Sequence, residues 1–383
     1  MKIVLVDALR IMVFIIVQML IAISNALLMK RLSSFPKAKQ RPKVSVLIPV
    51  RNEEKSITNC LNSLLMQNYD NYEIIVLNDN SSDNTDKILN SINDDKIKLI
   101  EGKPLPDDWI GKSWACFQLS KNAQGELLLF TDADTIYQPN TISCAVNALI
   151  ATKADLITAV HCNQVKTFGE KITVPFPVYA IFTILPLTVA YLFPKSSPFS
   201  TANGKFMLFD KDFYEKIDGH RAVKQEIVED IALAKLVKSR GGKWRIFDAS
   251  TLIVSRMYEN FADAINGFTK NYFAIFNYRI LLSIFVWSWM GLITFYPIVG
   301  VFSALIRHNF NLNFIYNLVS IIITCFMWFL LSLKFCFPLY LFLLYPLIIS
   351  VAIYIGIRSI ILTLSNKISW KGRRIKQVKW HWL

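Results

Sequence analysis

Four stretches of the chain are almost free of charge and long enough to cross a bilayer: residues 11–29 (IMVFIIVQMLIAISNALLM), 280–306, 314–333 and 335–364. About 20 apolar residues in a helix span the hydrocarbon core, and lipid admits only segments whose backbone hydrogen bonds close internally. Helices are therefore required at both ends of the sequence, and any catalytic or binding domain has to fold between them. The overall makeup, 53% hydrophobic with a mean hydropathy of +0.37, reflects those ends. Residues 40–275 have ordinary charge density and clear turn signals, and are read as a soluble domain.

Asp7 and Arg10 precede the first apolar run and no small-x-small cleavage site follows it, so residues 1–30 are read as an uncleaved anchor. Lys30, Arg31, Lys37, Lys39, Arg41 and Lys43 come next, and such charges mark the cytoplasmic flank of a span. The expected protein is multi-pass in the cell membrane with its soluble domain facing the cytoplasm. Residues 280–364 form a C-terminal transmembrane region and 365–383 a basic cytoplasmic tail. Three crossings after a cytoplasmic domain would put that tail outside, against the same charge rule. The last run carries Pro338, Pro346 and Arg358, and fits either a re-entrant hairpin or a span followed by an interfacial helix.

The net charge of +14 (42 basic minus 28 acidic residues) is concentrated beside the apolar runs and in the tail WKGRRIKQVKWHWL. Basic and aromatic residues placed there meet anionic headgroups, so the charge indicates a membrane partner and no nucleic acid. Six cysteines form no CxxC pair and read as free thiols.

In the soluble domain, short β-rich runs at 43–48, 72–77, 97–100 and 127–130 alternate with helical patterns at 53–67 and 114–122 and a capped helix after Ser82 and Asp83. That alternation predicts an α/β domain with a parallel sheet covered on both faces. Ligands of such sheets bind outside the carboxyl ends of the strands. Three polar clusters fall there: PVRNEE, NDNSSD and TDADT. Neither a G-x-G-x-x-G nor a P-loop motif is present, which argues against dinucleotide and P-loop folds.

Asp132 and Asp134 close a buried strand, and two like charges there are costly unless a cation lies between them. A divalent cation, Mg²⁺ or Mn²⁺, held by these carboxylates and the oxygens of a nucleotide diphosphate, is one solution, a lysine is another, and two solvated turn residues are the third. Asp79 reads as a contact to a ribose or base, or as a turn residue. Arg51 and Glu53 read as pocket residues or as a surface pair, and Lys112 as a phosphate partner or an ordinary helix-start lysine. Glu229 and Asp230 open a helix, where acids are favourable for structural reasons alone. His161 and His220 read as polar structural residues.

Taken in order, IPVRNEE, LNDNSSDNT, TDADT and VEDIALA resemble family 2 glycosyltransferases of the GT-A fold, over residues 43–271. LPDDWIGKSWACFQ, RMYENFADAINGFTKN, the flanking apolar runs and the terminal WKGRR are similar to membrane enzymes associated with carotenoid and hopanoid glycosylation. The resemblance implies a metal-dependent, inverting hexosyl transfer from a nucleotide-diphosphate sugar, most often UDP-linked, to a lipid acceptor such as an isoprenoid alcohol. It implies that Pro49, Arg51, Glu53, Asp79, Lys112 and Asp132 bind the nucleotide. Asp132 then lies near ribose and metal, and Asp134 is the direct metal ligand. Asp230, beside Glu229, becomes the general base, and Asn203 and Gly204 line the donor-sugar and acceptor site.

No Q-x-x-R-W motif of polysaccharide-extruding relatives is found, which favours a single transfer. An intact Glu229–Asp230 pair favours a hydroxyl acceptor, since a carboxylate acceptor needs no base. Residues 172–193, nearly uncharged but broken by Pro175, Pro177 and Pro186, are expected to lie at the membrane interface, as is a helix over 260–276. The alternatives are a polyprenyl-phosphate sugar synthase and a non-catalytic nucleotide-sugar-binding adaptor. A nucleotidyltransferase would need a glycine-rich loop that IPVRNEEKS does not offer.

Overall fold

The computed structural model describes residues 7–193, 196–374 and 378–383. Residues 1–6 of the anchor and 375–377 of the tail lie outside that description. Two units form: residues 29–164 with 187–256, and residues 1–28 with 165–186 and 257–383. The first falls within the expected soluble domain except at residues 29–39. Segments 165–186 and 257–275, expected to belong to it, group with the apolar helices instead.

In the first unit the strands are β1 (Val44–Val50), β2 (Tyr72–Asn78), β3 (Ile97–Glu101), β4 (Leu127–Phe130), β5 (Thr135–Tyr137), β6 (Leu156–Val160), β7 (Cys162–Asn163), β8 (Met207–Asp210), β9 (Trp244–Asp248) and β10 (Ile253–Ser255). Seven make one sheet in the order β3-β2-β1-β4-β8-β6-β9. β1, β2 and β4 are apolar runs buried on both faces, as strands covered by helices on either side must be. Leu47, Ile48, Ile74, Ile75 and Leu129 are fully enclosed, and truncating one to alanine costs about 2–5 kcal/mol.

The sheet is not all parallel, as the alternation predicted. β8 runs antiparallel to both β4 and β6, with Phe130 opposite Met207. This one reversal decides the site. It brings residues 203–206, which lead into β8, to the edge where β1, β2 and β4 end. The helix expected over 53–67 forms only at Ile57–Leu65, because Asn52 turns the chain with a φ of 52°.

Helices Ala8–Leu28, Ile280–Ile306, Leu312–Lys334 and Tyr345–Leu364 of the second unit are each long and apolar enough to cross a membrane. Helix Leu312–Lys334 folds back antiparallel on Ile280–Ile306, with Gly300 against Asn317. Helix Tyr345–Leu364 is antiparallel to the same neighbour, since Gly291 faces Ile353 while Gly356 faces Trp287. Two consecutive helices antiparallel to one neighbour run parallel to each other, so residues 335–344 must lead the chain back. They do: the Phe342 carbonyl accepts from Cys325 Sγ at 3.7 Å, and the Phe342 ring meets Phe329.

Tyr345 and Ile349 line a small cavity with Met290, Ile293 and Thr294 of Ile280–Ile306. The far end of Tyr345–Leu364 is tied to helix Phe261–Tyr272. Arg358 donates to Thr269 Oγ1 (2.7 Å) and Asn266 Oδ1 (3.0 Å), and the Ser359 hydroxyl donates to the Thr269 carbonyl. The tail comes to the same end, where His381 exchanges backbone bonds with Tyr278 and Ile280.

Helix Pro175–Ile184 lies within the expected interfacial segment but is packed into this unit, its Tyr179 ring stacked 4.3 Å from Trp328. Pro186 has no N–H for the carbonyl of Phe182, four residues back. Asn25, fully buried in the first helix, supplies it: its Nδ2 donates to the carbonyls of Phe182 (2.9 Å) and Leu185 (2.8 Å).

Candidate active site

At the strand edge of the first unit, two clusters are built. One lies after β1 and β2. Arg51 does not project freely; its Nη1 donates to the carbonyls of Asp79 (2.6 Å) and Asn80 (2.9 Å) and so fixes the loop that presents Asp79. The Glu53 N–H donates to Thr85 Oγ1, and its Oε2 accepts from Ser56. Pro49 continues β1 opposite Leu77. Asp79 is buried.

The second cluster gathers residues from four elements. Lys112 stands in the first turn of helix Gly111–Asn122, behind an aromatic wedge in which Trp109 meets Trp114 at 5.0 Å and Phe117 at 5.1 Å. Its Nζ lies 2.9 Å from Asp132 Oδ1 and 2.9 Å from Glu229 Oε1. Burial works against the Lys112 charge, but Asp132 and Glu229 outweigh it and hold the ammonium well above the usual lysine range. Asp230 accepts from the Gly204 N–H at 2.9 Å and from the Ile231 N–H at 2.8 Å. Burial first, and the neighbouring Glu229 charge second, raise its carboxyl to about 6. A Cβ at Gly204 would meet Lys112 Nζ at 2.8 Å, so a larger residue there would displace that ammonium.

Asp134 is the residue whose surroundings differ most from expectation. The ammonium of Lys205, only 5% exposed, bridges both of its carboxylate oxygens. Lys205 is itself fixed: its N–H donates to Asn203 Oδ1 (3.1 Å) and its carbonyl accepts from the Tyr137 hydroxyl (3.0 Å). Asn203, expected to line the sugar site, spends its side chain on this loop. Its Nδ2 donates to His161 Nδ1, while its backbone N–H donates to Thr158 Oγ1 at 3.0 Å. That contact makes Nδ1 the acceptor, so His161 carries its proton on Nε2, toward Asn163 and Ser255. Burial and then the Lys205 charge push His161 down to about 3, so it is neutral.

The cost of two aspartates at one strand end is thus met by two lysines. A divalent ion held by Asp134 does not fit the residues as they stand, because an ammonium already occupies both oxygens. Among the described residues, no three carboxylate, histidine or cysteine side chains converge as a metal site. Lys112, Gly204, Glu229 and Asp230, expected to share a site with Asp132 and Asp134, meet there. Lys205 was not among the expected residues; a lysine following Asn203 and Gly204 was the available signal, but no periodicity says that it points inward.

Residues 45–218 match the model of glycosyl transferase family 2. The fold of this chain is the GT-A nucleotide-diphospho-sugar transferase fold. A mannosyltransferase from Pyrobaculum calidifontis, solved with GDP-Man and Mn²⁺, superposes with a TM-score of 0.52 at 15% identity, covering 94% of this chain and 99% of that one. The 4,4'-diaponeurosporenoate glycosyltransferase of Staphylococcus aureus is 26% identical over 231 residues, 60% of each chain. The match thus spans less than two thirds of that relative.

Proposed function

We propose that this chain is a membrane-bound inverting glycosyltransferase that moves one hexosyl group from a nucleoside-diphosphate sugar, UDP-linked, to a hydroxyl on an apolar isoprenoid lipid. The observation that carries the reading is Asp230. It is a carboxyl raised to about 6, aimed by the Gly204 N–H, and next to a cluster whose ammoniums suit a diphosphate.

In the reaction, the acceptor oxygen attacks the anomeric carbon from the face opposite the diphosphate. Its proton passes to Asp230 as the C–O bond forms, and the bond to the donor phosphate breaks with its electron pair leaving on the diphosphate. A carboxylate with a pKa near the working pH suits that proton transfer, which contributes about 10²–10⁴-fold. The charge on the leaving group meets the Lys112 and Lys205 ammoniums, held in place beforehand by carboxylates. Arg51 keeps the Asp79 loop in the shape a nucleoside would bind. The apolar helices carry the enzyme in the membrane with its first unit on the cytoplasmic side, as Lys30, Arg31 and the following basic residues favour.

A second reading is a carboxylate acceptor, favoured by the relative whose name denotes a carotenoid acid. Incubating purified protein with UDP-sugars and a total isoprenoid lipid extract, and reading products by mass spectrometry, tests both. A glycoside supports the first, a glycosyl ester the second, and donor binding without any product would leave the non-catalytic adaptor.

A further inference from the structure

We infer that Lys205 is a resident cation of this site, occupying on Asp134 the position a divalent ion would need, so that this chain binds such an ion weakly through Asp134. The inference deepens the glycosyltransferase reading by saying what stands beside the donor diphosphate.

Three observations carry it. The Lys205 ammonium bridges both oxygens of Asp134, leaving neither one free of a positive charge. Lys205 is also nearly enclosed, and its backbone is pinned on both sides, by Asn203 Oδ1 and by the Tyr137 hydroxyl. The ammonium therefore cannot retreat into water as a surface lysine would. The loop is fixed in turn by buried polar groups, with Asn203 held by Thr158 and by a neutral His161.

A metal ion arriving at Asp134 must displace this lysine or sit beside it. Displacement leaves a buried ammonium without its partner, and coexistence sets a divalent charge against a monovalent one at short range in a poorly screened site. Both lower the affinity. The second lysine has another place in the cluster, since Lys112 bridges Asp132 and Glu229. The two ammoniums thus face the strand edge from separate elements, and a diphosphate can use both without a metal on Asp134.

The test uses Mn²⁺ alone, titrated into the purified full chain and followed by the loss of the free-ion electron paramagnetic resonance signal. With the repelling ammonium removed, Lys205→Gln is expected to bind Mn²⁺ at least about 10-fold more tightly than the natural protein. Asp134→Asn should leave the natural protein's affinity within about 2-fold, yet abolish the gain when combined with Lys205→Gln. Equal affinity in the natural protein and Lys205→Gln, or loss of binding in Asp134→Asn alone, would overturn the inference. If Lys205→Gln fails to fold, the comparison of the natural protein with Asp134→Asn decides by itself. No donor or acceptor is present, so the result stands apart from whether sugar transfer is found.

Discussion

Asp230 ties catalysis to stability through one pKa. Burial and the Glu229 charge raise its carboxyl from the ordinary 3.8 to about 6, so the folded state favours the proton. That preference stabilises the fold below the unfolded value and is lost as pH rises through 6. A base must be ionised, so transfer should climb through an apparent pKa of about 6. In Asp230→Asn the rate should fall by about 10²–10⁴-fold and the limb should flatten, as a pH profile of kcat/KM would record. The same variant should melt at a higher temperature than the natural protein at pH 8 but not at pH 4. A second residue-scale expectation concerns Gly204. Gly204→Val would press on Lys112 Nζ, and a displacement of about 1 Å should lower kcat/KM by about 10²-fold, with far-ultraviolet circular dichroism unchanged.

Among the elements, β8 has the largest consequence. Were it parallel, like the other strands of the alternating pattern, residues 203–206 would begin at the opposite edge, away from Asp134 and Asp230. Its lead-in loop is tied to β6 through Thr158, whose hydroxyl accepts from the Asn203 N–H and donates to the Phe206 carbonyl. Thr158→Val keeps the shape and removes the acceptor, which should cost about 1–3 kcal/mol in denaturant unfolding. It should also reduce turnover, because the loop carries both Gly204 and Lys205. Stability lost with turnover intact would show that the loop's position matters less than argued.

At the scale of the molecule, four helices are long enough to span, and residues 335–344 fold back along Leu312–Lys334 before Tyr345–Leu364 begins. One crossing before the soluble unit and two after it would place that unit and the basic tail on the same side. In a cysteine-free background, Lys37→Cys and Lys379→Cys should therefore react with an impermeant thiol reagent from one face of sealed vesicles. Asn309→Cys, between the two crossing helices, should react from the other. A tail labelled from the face opposite Lys37 would mean that the last helix crosses.

Much of this was legible in the chain because it depends on neighbours in sequence. Lipid-length apolar runs, the alternation of strand and helix, acids at strand ends and the Glu229–Asp230 helix start are local patterns, and local hydrogen bonding and burial enforce them. Residues far apart in sequence decided the rest. Whether Asp134 meets a metal or a lysine depends on Lys205, 71 positions away, and on the direction of β8. How residues 345–364 pack on Ile280–Ile306 depends on contacts of Gly291 and Gly356. Periodicity gives each side chain a face, but only packing determines which charge that face meets.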